Sequence, residues 1–299
     1  MPEINEVRKY ADFVKSKLKK INKINILNGR YKKHGPFPLY KELVNTLPVN
    51  VIDIKTKGKF MYMILSDGFY LFSTLGLSGG WVYQDNKTKK YSHPEIIEFL
   101  NKKDVDVYLQ TSLNHLNVEF VTDNGSIFFY DTLSFGTLKV IKNETELNKK
   151  LNTLGPDIMD NSTTYEIFKQ RIQMNRNMTK EIGIVLMDQK TISGIGNYLR
   201  ADILWLSKIS PFRKINKITD NELKEIYHNS KVLTWGDYDY KKAIKEKIIT
   251  SKDELPRDYE RDFFVYFEDK DIYGHKIIKE ELYEGNPKRF IYWVKERQH

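Results

Sequence analysis

Residues 193–204 read SGIGNYLRADIL and place two glycines, Gly194 and Gly196, directly before an apolar helix. Glycines let the backbone N–H groups of this turn approach a phosphate closely, and the N-terminus of the following helix favours an anion. The sequence therefore predicts a helix–turn–helix pair in which Asn197 caps the second helix and can donate its side-chain amide to the same phosphate. An ordinary helix–helix turn that Asn197 only caps is the alternative, since such turns are common.

The residues before this segment show first a helical and then a strand-like pattern. From Asn5 onward, apolar residues at i, i+3, i+4 and i+7 predict an amphipathic helix that begins almost at residue 1. Residues from about 20 to 140 contain short aromatic and β-branched runs, with an Asp-Gly turn at 67–68 and an Asn-Gly turn of type I′ at 124–125. This pattern predicts a β-sandwich or barrel.

The second half of the chain has helical signals and ends on a strand-like segment. Residues 163–166 and 219–222 both fit the S/T-x-x-E capping box, and residues 181–190 predict an apolar helix before the glycine-rich turn. The last segment alternates aromatic and basic residues around Gly274 and Gly285 and predicts a final β-hairpin. We therefore expect an α+β protein, with a helix and a two-layered β-sandwich followed by a helical domain and a hairpin.

Composition limits the classes of function. The chain has 49 Lys+Arg and 40 Asp+Glu, and its formal charge of +9 suggests a polyanionic partner. It has no cysteine, which excludes disulfides, thiolate catalysis and cysteine-ligated zinc or iron–sulfur sites. The six histidines are scattered, so we expect no metal and no other cofactor. No apolar run approaches the about 18 residues of a membrane span and no signal peptide is visible, so we expect an intracellular protein without a membrane partner.

The start of the chain, MPEINEV, carries a possible nucleophile. A small second residue favours removal of the initiator Met, which would leave Pro2 as a secondary amine with a pKa of about 7.7–8.0, low enough to be partly unprotonated near neutral pH. Such an amine can attack a carbon and condense to a cationic iminium, and Glu3 can exchange protons at the same centre. The alternative is that Pro2 and Glu3 only begin the first helix.

Two basic residues could contact phosphate. Arg289 lies in the C-terminal hairpin beside aromatic residues and could form a forked pair with phosphate, or it could be a solvated charge. Lys59 opens a strand after Gly58, where a lysine more commonly blocks edge-to-edge aggregation. Neither residue by itself identifies a function.

Taken in order, these motifs resemble one family over essentially the full length of the chain. Pro2, Glu3 and Glu6 come first, followed by the Lys59 strand, LGLSGGW, GIGNYLRADIL and the hairpin with Arg289. This order is similar to that in the formamidopyrimidine-DNA glycosylase and endonuclease VIII family, the helix–two-turn–helix (H2TH) DNA glycosylases. The family usually starts P-E-x-P-E, so Asn5 departs from it. The H2TH signature G-[IV]-G-N-x-x-x-x-[ED]-[IV]-L is matched by residues 194–204.

The resemblance implies a role for each of four catalytic residues. Pro2 would attack C1′ of the damaged nucleotide, and Glu3 would donate the proton that assists opening of the sugar ring. Lys59 would contact phosphate and donate a proton for β-elimination. Arg289 would bind phosphate and serve δ-elimination, with Glu6 in a supporting position.

The resemblance also implies contacts with DNA outside the reacting sugar. Asn197, with Gly194 and Gly196 in the same turn, would grip the backbone beside the lesion, and His115 falls where the family has a DNA-contacting histidine. Most members hold zinc in the finger through four cysteines. This chain has none, so Arg289 would lie on a zincless finger, as in the vertebrate and giant-virus Nei-like enzymes, and the aromatic run FIYW could hold that hairpin by packing.

Base flipping leaves a void in the duplex that side chains must fill. The family commonly uses Met, Arg and Phe there, and this chain offers Leu77, Leu133 and Phe135. Leu133 replaces the arginine that reads the orphaned base, which argues against a strong opposite-base preference. For both leucines the alternative is a buried strand residue.

The resemblance thus predicts a bifunctional DNA glycosylase and AP lyase that excises oxidised pyrimidines and formamidopyrimidines. We expect a β-sandwich catalytic domain at 1–150, an H2TH domain at 151–255 and a zincless finger at 256–299. The expected partner is damaged double-stranded DNA, with single-stranded or bubble DNA as a further possibility, and the expected state is a monomer in the nucleus, the cytoplasm or a virus. A catalytically inactive H2TH DNA-binding protein and a basic RNA-binding protein are the alternatives.

Overall fold

The computed structural model describes residues 2–94, 96–100, 115–248, 263–283 and 289–299, and the fold is given for these residues. Gly285, one of the two glycines named in the predicted final hairpin, lies outside them. The chain forms two compact units. The first comprises Met1–Pro2 and Glu6–Asn152, and the second comprises Glu3–Asn5 and Thr153–His299. The division into three domains remains a prediction.

The helices and strands follow the expected order of an α+β chain. The described helices are α1 (Ile4–Lys17), α2 (Gly29–His34), α3 (Tyr40–Thr46), α4 (Glu144–Asn152), α5 (Tyr165–Ile172), α6 (Ile182–Val185), α7 (Asn197–Leu206) and α8 (Asp220–Lys245). The described strands are β1 (Lys20–Ile21), β2 (Lys23–Ile26), β3 (Val49–Lys57), β4 (Phe60–Leu65), β5 (Tyr70–Thr74), β6 (Gly79–Asp85), β7 (Tyr91–His93), β8 (Ile96–Leu100), β9 (Leu116–Val121), β10 (Gly125–Asp131), β11 (Thr137–Ile141), β12 (Ile278–Tyr283) and β13 (Arg289–Trp293). Among the described helices, none is both long and apolar enough to cross a membrane.

Two antiparallel sheets and one helix build the first unit. The first sheet has the order β1-β3-β4-β5-β11 and the second has the order β2-β9-β10-β6-β7-β8. One buried cluster joins α1 to both sheets, with Val14 from the helix, Met61 from the first sheet and Trp81 from the second. The predicted N-terminal helix and two-layered β-structure are therefore confirmed, because apolar residues from each element meet in a single core.

Of the two predicted hairpin turns in this unit, one is confirmed and the other is wrong. The turn at 67–68 has positive φ at both Asp67 and Gly68, as an Asp-Gly hairpin turn requires. The type I′ turn at 124–125 is wrong, because neither residue has a positive φ. There the hydroxyl of Thr122 accepts the N–H of Gly125 at 3.1 Å and organises the turn instead.

The second unit is helical, with the β12–β13 hairpin at its end, and its core contains Ile4, Trp205 and Trp293. The capping box at 219–222 is confirmed by both of its hydrogen bonds. The box at 163–166 is wrong by one residue, because Thr164 caps α5 while the hydroxyl of Thr163 donates to the carbonyl of Asp157 at 2.7 Å. The predicted apolar helix at 181–190 is also shorter than expected, since α6 ends at Val185.

Candidate active site

The carboxylate of Glu3 is fully buried and is bound by the backbone of the glycine-rich turn. Its Oε2 accepts the N–H of Gly196 at 2.6 Å and that of Leu199 at 3.4 Å. Its Oε1 accepts the N–H of Tyr198 at 3.1 Å. These N–H groups belong to the N-terminus of α7, where unpaired donors and the helix dipole favour an anion. The anion bound at the N-terminus of α7 is therefore the Glu3 carboxylate of the same chain.

The two glycines of the turn allow residues 3–5 to pack closely against its backbone. Gly194 has a φ of +118°, and a Cβ atom at this position would lie 2.4 Å from Cδ1 of Ile4. Its N–H donates to Oε1 of Gln189 at 2.9 Å, while the N–H of Gly196 donates to Glu3. Protein acceptors therefore bind both N–H groups in this structure, and a role of Gly194 and Gly196 in DNA binding remains a prediction.

Asn197 is the first residue of α7, and the cap position belongs to Gly196. The predicted capping role of Asn197 is wrong, because Glu3 accepts the N–H groups that a cap would satisfy. The Oδ1 of Asn197 instead accepts a hydrogen bond from Arg200, and its Nδ2 donates to the hydroxyl of Tyr266 at 3.3 Å. These two contacts fix the orientation of the amide.

Arg200 links the H2TH helix to the final hairpin. Its side chain is buried, with Nη1 donating to the carbonyl of Gly183 at 3.1 Å and Nη2 donating to that of Phe290 at 2.8 Å. Burial lowers the pKa of Arg200 to about 10; the charge of Glu3 opposes that shift and the charge of Arg289 adds to it. One guanidinium thus binds Asn197 and the strand that begins at Arg289, and it interacts electrostatically with Glu3.

Arg289 itself is exposed at the start of β13, where its backbone pairs with Tyr283. Packing holds the hairpin to the helical core, as the FIYW run predicts. Ile291, Tyr292 and Trp293 are buried, and the rings of Trp293 and Phe212 lie 5.4 Å apart. In the part of the chain that the structure describes, no group of three His, Asp or Glu side chains is placed to hold a metal ion.

Asp202 is the acidic residue of the H2TH signature and is buried in α7. Its carboxylate accepts the N–H of Val265 at 3.0 Å and that of Phe264 at 3.3 Å. Burial raises the pKa of Asp202 to about 7, against the opposing effect of these N–H donors. Asp202 therefore fixes the segment that leads into the hairpin against the H2TH helix.

Asn5, the residue that departs from the family start, has one buried partner, Tyr198, and one exposed partner, Asp237. Its Oδ1 accepts the hydroxyl of Tyr198 at 2.8 Å, and its Nδ2 donates to the carboxylate of Asp237 in α8. Asn5 is 1% exposed. A proline in its place could make neither bond, so this asparagine holds residues 3–5 to α7 and α8 within the second unit.

We expect Asn5→Ala to lower the free energy of unfolding by about 1–3 kcal/mol, because it removes a buried partner from Tyr198 and Asp237. Chemical denaturation of the full chain measures this change. Asn25→Ala is the matched control, since Asn25 makes a partly exposed bond to Glu119 and should cost less. A smaller loss for Asn5→Ala than for Asn25→Ala would contradict the proposed link.

Four predicted site residues lie in the first unit near the ends of its elements. Pro2 is half-buried, and Glu6 lies in the first turn of α1, where an acid suits the helix dipole. Lys59 is half-buried in the turn at 58–59 and does not open β4, which begins at Phe60. His115 is half-buried directly before β9. The roles of these residues in catalysis or DNA binding remain predictions.

The three proposed void-filling residues lie on two adjacent loops of the first unit. Leu77 is 43% exposed, Leu133 55% and Phe135 60%, so the alternative of buried strand leucines is wrong. The loops are joined by Ser78, whose Oγ accepts the N–H of Leu133 at 2.9 Å and donates to Asp131 at 2.6 Å. Hydrogen bonds of Ser78 therefore join the loop of Leu77 to the loop of Leu133 and Phe135. All three apolar side chains are exposed on these joined loops.

Comparison with known proteins places the chain in a family. Residues 1–138 match the formamidopyrimidine-DNA glycosylase N-terminal domain, and residues 154–251 match the formamidopyrimidine-DNA glycosylase H2TH domain. A relative named formamidopyrimidine-DNA glycosylase, from Mycoplasma genitalium, is 30% identical over 234 residues, which cover 77% of this chain and 72% of the relative. The chain belongs to the formamidopyrimidine-DNA glycosylase family. It is accordingly a DNA-repair glycosylase of this type with an H2TH DNA-binding domain.

Further comparisons agree with this family and with the fold. The protein of the same name from Rickettsia conorii is 27% identical over 233 residues, covering 76% of this chain and 74% of the relative. The crystal structure of Lactococcus lactis formamidopyrimidine-DNA glycosylase bound non-covalently to DNA with an AP site matches with a TM-score of 0.71 over 100% of both chains, at 18% identity. A structure of MutM in complex with carbocyclic 8-oxo-G DNA also matches with a TM-score of 0.71 over 100% of both chains, at 21% identity. These likenesses show that the fold is shared.

The site contains residues that the sequence did not single out. Arg200 and Tyr266 orient Asn197, Gln189 braces the turn, and Asn5 holds the first turn of α1. Only Asn5 gave a signal, as a departure from P-E-x-P-E. The partners of the other three come from distant parts of the chain or from inside the motif itself, so spacing alone could not identify them.

Proposed function

We propose that the chain is a bifunctional DNA glycosylase and AP lyase that excises oxidised bases through Pro2. The observation that supports this proposal most directly is the burial of the Glu3 carboxylate against the N-terminus of α7. This contact fixes the residue next to Pro2 in the same cluster as Asn197 and Arg200. If Pro2 and Glu3 only began the first helix, the Glu3 carboxylate would not need to be buried.

The proposed reaction begins at C1′ of the flipped nucleotide. The Pro2 nitrogen forms a bond to C1′ as the bond to the damaged base breaks and its electrons leave with the base. The Glu3 carboxylate takes the N–H proton of Pro2 as the new bond forms and delivers it to the ring oxygen as the C1′–O4′ bond opens, which leaves an iminium between C1′ and Pro2. Loss of a C2′ proton then expels the 3′ phosphate, a second elimination expels the 5′ phosphate, and water releases Pro2.

Four other side chains are proposed to hold the DNA during these steps. Asn197 and Arg289 would contact phosphates on either side of the flipped nucleotide, with Lys59 and His115 contacting the backbone from the first unit. The formal charge of +9 supports this partner, because cationic residues that neutralise phosphates supply most of the sequence-independent affinity. A monomer that acts on damaged double-stranded DNA is sufficient for the proposal.

The void in the duplex is proposed to be filled from the apolar loops. Leu77, Leu133 and Phe135 are all exposed there, and apolar side chains can insert where a base has left the stack. Since an apolar Leu133 offers no hydrogen bond to an orphaned base, we propose little discrimination of the opposite base. We also propose oxidised pyrimidines and formamidopyrimidines as preferred lesions over 8-oxoguanine, on the resemblance to zincless relatives and the absence of cysteine.

Single-turnover excision from duplexes that each carry one lesion tests this proposal. We expect faster release of dihydrouracil and formamidopyrimidines than of 8-oxoguanine, and a covalent adduct when borohydride is added during the reaction. A protein that binds these duplexes and yields no adduct would be a DNA-binding module without catalysis. Tighter binding to structured RNA than to lesion DNA at the same salt concentration would favour an RNA-binding function instead.

A further inference from the structure

Phe267 presents a large apolar side chain to solvent from an unfavourable backbone position. Its side chain is 70% exposed and its φ is +60°. It lies in a turn at residues 265–268, where the N–H of Glu268 donates to the carbonyl of Val265 at 3.3 Å. Glycine or asparagine usually occupies such a left-handed position, because a bulky side chain is strained there. An exposed aromatic ring kept at this cost points to a use for the ring.

Neighbouring rings hold Phe267 without stacking on it. The ring of Tyr266 lies 4.5 Å away at 71°, and the ring of Tyr292 lies 5.1 Å away at 54°. Tyr266 and Tyr292 also contact each other, with their centroids 5.1 Å apart at 67°. Neither neighbour lies parallel to Phe267. The carboxylate of Asp202 holds the backbone turn at 265–268, because it accepts the N–H of Val265.

The aromatic shelf consists of Tyr266, Phe267 and Tyr292, of which Phe267 is exposed and Tyr292 is buried, and it contacts the H2TH signature through Tyr266. The hydroxyl of Tyr266 accepts a hydrogen bond from Nδ2 of Asn197 at 3.3 Å. On the hairpin side, Nζ of Lys279 lies 5.8 Å from the centre of the Tyr292 ring. The shelf thus contacts a residue of the H2TH signature through Tyr266 and a cation through Tyr292, which suits a strand with alternating bases and phosphates.

We propose that Phe267 is a stacking platform for an unpaired nucleobase of a DNA strand that leaves the duplex next to the H2TH site. Every base has a π face, and protein aromatics stack on bases without sequence preference. Lys279, beside the Tyr292 ring, supplies a cation for the phosphate next to the stacked base. The inference takes DNA as partner from the proposed function, but it does not depend on base excision.

Binding of a short lesion-free single strand, compared with the same strand in a full duplex, tests the platform. We expect Phe267→Gly to weaken binding of the single strand by about tenfold and binding of the duplex by less than about twofold. Glycine accepts a positive φ, so this variant removes the ring without adding backbone strain. Phe267→Tyr keeps a stacking face and should bind the single strand within about twofold of the unaltered chain.

Ile52→Ala is the control for loss of exposed apolar area, since Ile52 is 66% exposed in the first unit. This variant should bind both probes like the unaltered chain. Equal losses on single strand and duplex for Phe267→Gly, or no loss on either, would overturn the platform. Excision from paired duplexes is scored separately: an unaltered chain that binds single strands through Phe267 but excises no base would contradict only the proposed function.

Discussion

A chain that keeps any residue in front of Pro2 is expected to form no borohydride-trapped adduct with DNA and to excise bases at least about 10³-fold more slowly. An amide nitrogen has no available lone pair, whereas a terminal proline is a secondary amine that is partly unprotonated near neutral pH. The proposed iminium cannot form from an amide. Trapping with borohydride and single-turnover excision measure the two losses.

The matched control is the same protein carrying a removable leader, assayed before and after a protease exposes Pro2. Both samples share every other residue, so a difference in fold or DNA affinity cannot explain the result. Mass spectrometry of the chain start defines each sample. Equal adduct formation before and after cleavage would show that another amine is the nucleophile.

Glu3→Gln is expected to slow base release by about 10²–10⁴-fold, the usual contribution of a positioned proton donor or acceptor. The amide cannot exchange the proton that the proposed ring opening requires. It also turns an NH₂ group toward the backbone donors of α7, so we expect the free energy of unfolding to fall by about 1–3 kcal/mol. Excision is therefore measured well below the unfolding temperature, with DNA affinity determined in parallel.

Glu144→Gln is the control for Glu3→Gln, because Glu144 lies in the first turn of α4 and is exposed. It removes one acid from a helix start without touching α7, and both excision and stability should stay close to those of the unaltered chain. If Glu3→Gln released bases within about threefold of the unaltered rate, a factor far below that of general acid–base catalysis, Glu3 would have only a structural role.

Sequence patterns predicted the elements well and their local contacts less well. The Asp-Gly turn at 67–68 was predictable because the required φ values depend on those two residues. The Asn-Gly turn at 124–125 was not, since the hydroxyl of Thr122 offers a competing set of hydrogen bonds. At 163–164 two adjacent threonines could each cap α5, and the choice depends on the carbonyl of Asp157, which binds one of them.

The candidate site shows the same limit over longer distances. The signature 194–204 identified the family, yet it wrongly suggested that Asn197 caps the helix. The acceptor at that helix end is Glu3, 195 positions before Tyr198 in the chain. Likewise, Arg200 lies inside the signature, but its bond to the carbonyl of Phe290 joins residues 90 positions apart. Local spacing contains no information about such pairings.

The docking of residues 3–5 on the helical unit limits how this protein can be dissected. A fragment that starts at Thr153 would lack the carboxylate that neutralises the start of α7. It would also leave Gly194 facing the space that Ile4 occupies in the whole chain. Exchanging the C-terminal half between relatives therefore requires exchange of the first five codons as well, and a library that shuffles the two halves independently would produce mismatched pairs.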